Sequence, residues 1–174
     1  VKRVIVFLTF LAVACGPALA QGPAWDNLKV LGVAPTLTDE TGATLTLAGL
    51  RTKYGEPVVG MKLVKTGIEV RFYMNPTTWD SVKQTFIMAR DQWQTLNPTQ
   101  FEAVGSIKGY KIGNRLGTLE ISLQGATSLS ARRLMLAAAG GADKPRRASV
   151  ALKEQNLIDL VEHLHKIDEF LRQP

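Results

Sequence analysis

Apolar and polar positions along the chain change period in an ordered way. Ile68, Val70, Phe72 and Met74 alternate with Glu69, Arg71 and Tyr73, the period-two pattern of a half-buried strand. From Trp79 the apolar positions fall at Val82, Phe86, Ala89 and Trp93, the three-four spacing of an amphipathic helix. Asn75-Pro76 supplies a cap and a first-turn proline, so the helix is expected to run to about Leu96 and stop before Asn97-Pro98. The same switch recurs at an offset of 78 (150 − 72). Phe72 and Met74 fall on Val150 and Leu152, while Trp79, Val82, Phe86, Ala89 and Trp93 fall on Leu157, Leu160, Leu164, Ile167 and Leu171.

Three further strands precede the first copy. Asn27 to Val33 reads as a strand, Pro35 to Gly42 as a polar turn segment, and Thr44 to Gly49 as a strand with Leu45 and Leu47 on one face. Val58 to Lys65 follows, and Thr66-Gly67 marks a tight turn into Ile68. In the second half, Ala103 to Ile112, Leu116 to Leu123, Ala131 to Ala138 and Arg147 to Leu152 are strand candidates, followed by a helix from about Glu154 to Leu171. Gly113-Asn114 and Gly140-Gly141 mark the sharp connections, and Gly140 to Arg147 reads as a basic hairpin tip. The expected fold is α+β and internally duplicated, ββββα-ββββα. It comprises two antiparallel β-meanders each packed on a long helix, with repeats at about 27–97 and 101–172.

The first twenty residues follow another rule. Lys2 and Arg3 precede an almost unbroken apolar run from Val4 to Ala14, and Gly16-Pro17 breaks it before Ala18-Leu19-Ala20, the outline of a secretory signal peptide. Residues 1–20 are therefore expected to be removed, leaving 21–174 as a single exported domain, periplasmic or extracellular. The alternative is a lipoprotein anchored at Cys15, because Leu11-Ala12-Val13-Ala14-Cys15 loosely resembles a lipobox. The apolar run is shorter than the ~20 residues a bilayer needs, so the mature chain is not expected to be transmembrane. Cys15 is the only cysteine, which excludes a disulfide or a cysteine metal site from the mature domain. Loss of Lys2 and Arg3 takes the formal charge from +6 to +4, an excess too small to specify a partner unless it is clustered.

One stretch carries a family resemblance. Arg133-Leu134-Met135-Leu136, the turn at Gly140-Gly141, the strand Arg147 to Leu152 and a helix with Leu157, Leu160, Val161 and Leu164 resemble a PUR repeat. The PUR family, and the topologically similar Whirly proteins, bind single-stranded nucleic acid on a curved sheet. The resemblance covers about forty residues well and the remainder by topology. It implies single-stranded DNA or RNA as partner, and helices packed either together at the centre or against another protomer, making a homo-oligomer.

Strand parity supplies the candidate site. If apolar positions face the helices, Arg71 and Tyr73, Lys108 and Tyr110, Arg133, and Arg147 with Ser149 lie on the outward faces. Lys and Arg would neutralise phosphates while Tyr73 and Tyr110 stack on bases, as a sequence-tolerant platform requires. The competing reading is a structural or protein-interaction module of the cell envelope, since Tyr, Arg and Lys also suit exposed strands. Arg132, Arg133, Lys144, Arg146 and Arg147 form the densest positive region, with a solvated loop tip as its plainer meaning.

Chemistry beyond binding finds little footing. His163 and His165 are two apart and face different ways on a helix. His165 with Asp168 and Glu169 offers at most two metal ligands, so surface histidines in local ion pairs are expected. Gly105-Ser106-Ile107-Lys108-Gly109 lacks the nucleophile-elbow spacing, and Gly55 to Lys62 fails the phosphate-loop pattern at its lysine. Asp39-Glu40 reads as solvated charge in a turn. No enzyme, metal or cofactor is expected. Trp79, Phe86 and Trp93 are assigned to the core, and Trp25 has no structural assignment.

Overall fold

The computed structural model describes residues 25–95, 101–109, 116–141 and 146–173. The leader with Cys15, the helix-stop signal at Leu96 to Pro98, the candidate Tyr110, the turn at Gly113-Asn114 and Lys144 lie outside the described residues. The fold is α+β, with two antiparallel sheets and two long helices.

The first sheet holds β1 (Lys29–Val33), β2 (Leu37–Thr38), β3 (Thr44–Arg51), β4 (Pro57–Lys65) and β5 (Ile68–Met74). β1 and β2 both pair with β3, at opposite ends of it, so together they make one interrupted edge strand. The expected polar turn from Pro35 to Gly42 thus contains a short strand, because Leu37 is buried and pairs with Leu45. The second sheet holds β6 (Phe101–Lys108), β7 (Leu116–Gln124), β8 (Arg133–Gly141) and β9 (Arg146–Leu152), paired in chain order. β8 starts later than Ala131, since Leu129–Ala131 forms one 3-10 turn before it.

α1 (Pro76–Gln92) begins as the sequence indicates, with the Asn75 carboxamide oxygen accepting from the Thr78 amide at 2.8 Å. It stops four residues short of Leu96. The Trp93 amide bonds Arg90 at 3.2 Å, a 3-10-type tightening, and the buried Arg132 guanidinium donates to the Trp93 carbonyl. α2 (Glu154–Arg172) closes the described chain.

Both helices share one core with the inner faces of the two sheets, and each packs more on the sheet it does not follow. α2 packs mainly across β3 and β1, while α1 packs on β6 and on α2. A Cβ on Gly32 would meet the Phe170 ring at 2.5 Å, and one on Gly49 would meet Phe170 at 2.8 Å, so two glycines admit α2 to the first sheet. β5 in turn crosses onto the second sheet, where Gly109 and Gly117 leave room for Phe72. Trp79 and Lys83 of α1 both donate to the Asp168 carboxylate of α2, at 2.7 and 2.9 Å. The helix stripes therefore bury Trp79, Val82, Phe86 and Ala89 against Leu157, Leu160, Leu164 and Ile167 in a common core.

Candidate functional site

The outward faces of the two sheets are the candidate surfaces. On the first sheet, cross-strand register sets Ala48, Gly60 and Tyr73 in one row, and Thr46, Lys62 and Arg71 in the next. The alternation along β5 is as expected: Phe72 joins the main core, while Tyr73 points to the other side. That other side is not open.

Trp25 covers it. The indole lies over Gly60, where an added Cβ would come within 2.6 Å of the ring, and meets Tyr73 edge-on with centroids 6.4 Å apart. Ala48, Leu50, Val58, Tyr73 and Trp25 form a small second core, flanked by Leu28 and Val33. The next residue, Asp26, accepts from the Tyr73 hydroxyl through one oxygen and pairs with Arg71 Nη1 at 2.8 Å through the other. Arg71 also bonds Glu69, with Nε 2.6 Å from the carboxylate. Burial, and then the Asp26 carboxylate, push the Tyr73 phenol well above its ordinary range.

Tyr73 is 2% exposed, so the expected stacking role is corrected: its ring is already packed and its hydroxyl already bound. Arg71 is corrected likewise, from phosphate ligand to clamp on the chain's own carboxylate. The sequence does carry a signal for this arrangement. Asp26 and Asn27 both have positive φ, 45° and 64°, and the Leu28 amide bonds the Trp25 carbonyl at 2.9 Å. Asp and Asn are the residues that tolerate such a turn, which folds Trp25 back over the sheet.

The second sheet differs. Lys108, Thr118, Ala139 and Arg147 form a row across all four strands, with Ser106, Glu120, Ala137 and Ser149 beside it. A groove of 560 Å³ runs over this face, lined by Glu120, Ser122, Met135, Ala137, Arg147 and Ser149 among others. Arg147 Nη2 lies 2.6 Å from Glu120, both side chains being more than half exposed. Lys65, the last residue of β4, reaches the rim with Nζ 3.4 Å from Ser149 Oγ. Lys108 and Arg146 are exposed.

The remaining cations separate. Arg133 is 19% exposed and held by the Ser130 and Arg132 carbonyls and by Glu40, 2.6 Å from Nη2. The structure thus sets Lys108 and Arg147 at opposite edges of one face that the described residues leave open, sets Arg133 at its end already engaged, and places Arg71 and Tyr73 elsewhere. Arg132 leaves the expected cluster entirely, since it is buried as the cap of α1.

Three smaller expectations also change. Asp39 is buried instead of solvated: its carboxylate accepts from the Thr41 and Ala43 amides at 2.7 and 3.0 Å and from the Ala151 amide of β9 at 3.0 Å. Burial alone would raise its pKa, but these hydrogen bonds outweigh it and hold the carboxyl below its usual range. His163 is buried, not a surface histidine, and burial followed by Lys166 lowers its pKa. Asp168 is taken by Trp79 and Lys83, so it is committed to joining the helices beside His165. Among the described residues no group of three His, Cys, Asp or Glu side chains is placed to hold a metal ion, and no helix is long and apolar enough to cross a membrane.

Compared with models of known protein families and with the sequences of characterised proteins, the chain gives no match.

Proposed function

We propose that the protein is an exported, non-catalytic interaction module that binds a protein partner on the outward face of its second sheet. Its two halves are read as a duplicated ββββα unit of PUR or Whirly type. The observation that carries the functional reading is the contrast between the two outward faces. The face that holds Tyr73 is filled by the chain itself, whereas the groove that the described residues leave open offers Ser122, Met135, Ala137 and Ser149 and a balanced ion pair. Small hydroxyls, alanines and a soft methionine suit an extended segment or a second sheet. The charge there is mixed, not uniformly positive.

The duplication is supported by the offset of 78, which superposes Phe72 on Val150 and Met74 on Leu152, all buried. Both halves also run as a meander followed by a helix, the split edge strand of the first accounting for its extra element. Export rests on the leader pattern of residues 1–20.

A second reading, single-stranded nucleic acid on this same face, is favoured by one feature. Lys108 and Arg147 stand at opposite edges of one row, with Lys65 and Arg146 nearby. Fluorescence anisotropy with labelled single-stranded DNA and RNA, on residues 21–174 at low and physiological salt, separates the two. The interaction-module reading expects no binding at physiological salt. A photo-crosslinking residue at Ala137 should yield a discrete protein adduct that Met135→Arg suppresses. Oligonucleotide binding at physiological salt that Arg147→Ala weakens would replace the first reading with the second.

A further inference from the structure

The covered face of the first sheet has the geometry of an occupied binding site. Its floor is Gly60 between Ala48 and Tyr73, its walls are Leu50 and Val58, and its rim carries the Arg71 guanidinium and the Tyr73 hydroxyl. An indole fills the floor and a carboxylate satisfies both rim groups. The occupant presents a ring in van der Waals contact with a glycine, followed at once by an anion on a two-pronged polar clamp.

The occupant is attached in a way that lets it leave. β1 begins at Lys29, and its ladder to β3 runs from the Lys29–Arg51 pair to the Val33–Ala48 pair, so lifting residues 25–27 breaks no strand pairing. The turn that carries Trp25 is a single reversal from Trp25 to Leu28, closed by one backbone hydrogen bond of 2.9 Å, with Asp26 and Asn27 at positive φ in its centre. Local opening of such a segment is easier than unfolding of the sheet beneath it.

We infer that this socket is a second docking site, for a partner segment in which an aromatic residue is followed by an acidic one, with Trp25-Asp26 as its resident competitor. The site lies on a different sheet from the groove discussed above and does not depend on what that groove binds. A tethered competitor acts at an effective concentration of order mM. A free segment therefore enters only by binding more favourably than the resident pair or when that pair is released, and the apparent affinity falls with the fraction of sockets open.

The full chain bearing Trp25→Ala and Asp26→Ala tests this directly, with the blocked tripeptide acetyl-Trp-Asp-Asn-amide as probe. Titration should show at least tenfold tighter binding to the double variant than to the unaltered protein. Amide shifts should be confined to Ala48, Gly60 and Tyr73 and their neighbours, and adding Arg71→Ala should reverse the gain. A folded double variant that does not bind the probe, or binds it equally without Arg71, overturns the proposal. So does preferential binding of uridine monophosphate, which would assign the socket to nucleotides. If the double variant does not fold, Asp26→Asn alone keeps the indole and weakens only the clamp. It should raise probe affinity about threefold by this mechanism, and unchanged affinity would equally overturn it.

Discussion

The outward faces of the two sheets are built on one plan and meet opposite fates. Each is the side of an antiparallel meander turned away from the helices, and each carries cations among small residues. On the first sheet, Gly60 leaves a hollow that a tryptophan enters, and the cation beside it becomes the anchor for the next residue's carboxylate. On the second sheet, Met135, Ala137 and Ser149 make a shallow groove that the described chain leaves open. Arg71 and Arg147 look alike in the sequence, yet Arg71 has 18% of its side chain exposed and Arg147 has 66%. The lesson is that a basic, aromatic strand pattern specifies which way side chains point and says nothing of whether the space above them is already taken.

The largest expected break in this comparison is Trp25→Ala. Removing a buried indole should cost about 3 kcal/mol in urea-unfolding free energy, and a loss below about 0.5 kcal/mol would mean that the first face is not sealed in solution. Gly60→Val is next. Its side chain would collide with the indole and with Leu50, whose Cδ1 lies 2.7 Å from the added Cβ. Overpacking of this kind should cost about 2 kcal/mol and raise the accessibility of Trp25 to a fluorescence quencher.

Arg71→Ala and Arg147→Ala sharpen the contrast within one residue type. The first leaves Asp26 without its guanidinium partner in a half-buried setting and should cost about 1.5 kcal/mol. The second removes an exposed pair and should stay within about 0.5 kcal/mol. Equal costs in matched chemical denaturation would erase the proposed difference between the faces.

Acid tests the contacts that tie elements together away from either face. Asp39 joins the turn after β2 to the edge of β9, Asp168 joins the two helices, and both are held below the usual carboxylate range by their hydrogen-bond donors. A carboxyl with a lowered folded pKa contributes stability that is complete above its unfolded pKa, near 4, and is lost as pH falls through the folded value. The chain should therefore lose stability progressively on acidification below about pH 4, and Asp39→Asn should flatten that slope while lowering stability at neutral pH. An unchanged slope in the variant would show that this carboxyl does not titrate with folding.

Much of the fold was legible in the sequence for reasons that are local. β5 matches its expected bounds, and β4 and β9 match to within one residue, because alternation against polar turns leaves little choice of register. The end of α1 was less legible, since the group that caps it, Arg132 on the Trp93 carbonyl, comes from 39 residues away. Of the candidate site, the direction of Tyr73 was readable from parity, but its burial was not, because the covering group comes from 48 residues earlier. Asp26-Asn27 was the available clue, as a pair that accepts left-handed backbone and so can reverse the chain.

By itself the sequence determined the alternation of strand and helix, the apolar stripes, the tight turn at Thr66-Gly67 and the absence of cysteine from residues 16–174. These follow from periodicity and residue chemistry within a few neighbours. Only the tertiary structure decided that each helix would lie against the other meander's sheet, that Arg132 would become a helix cap, and that Trp25 would close one face while the described residues leave the other open. Those outcomes depend on which distant surfaces fit together, through glycines at 32, 49 and 60 that admit bulky side chains. A linear pattern records the hollow as a glycine, and only packing shows what fills it.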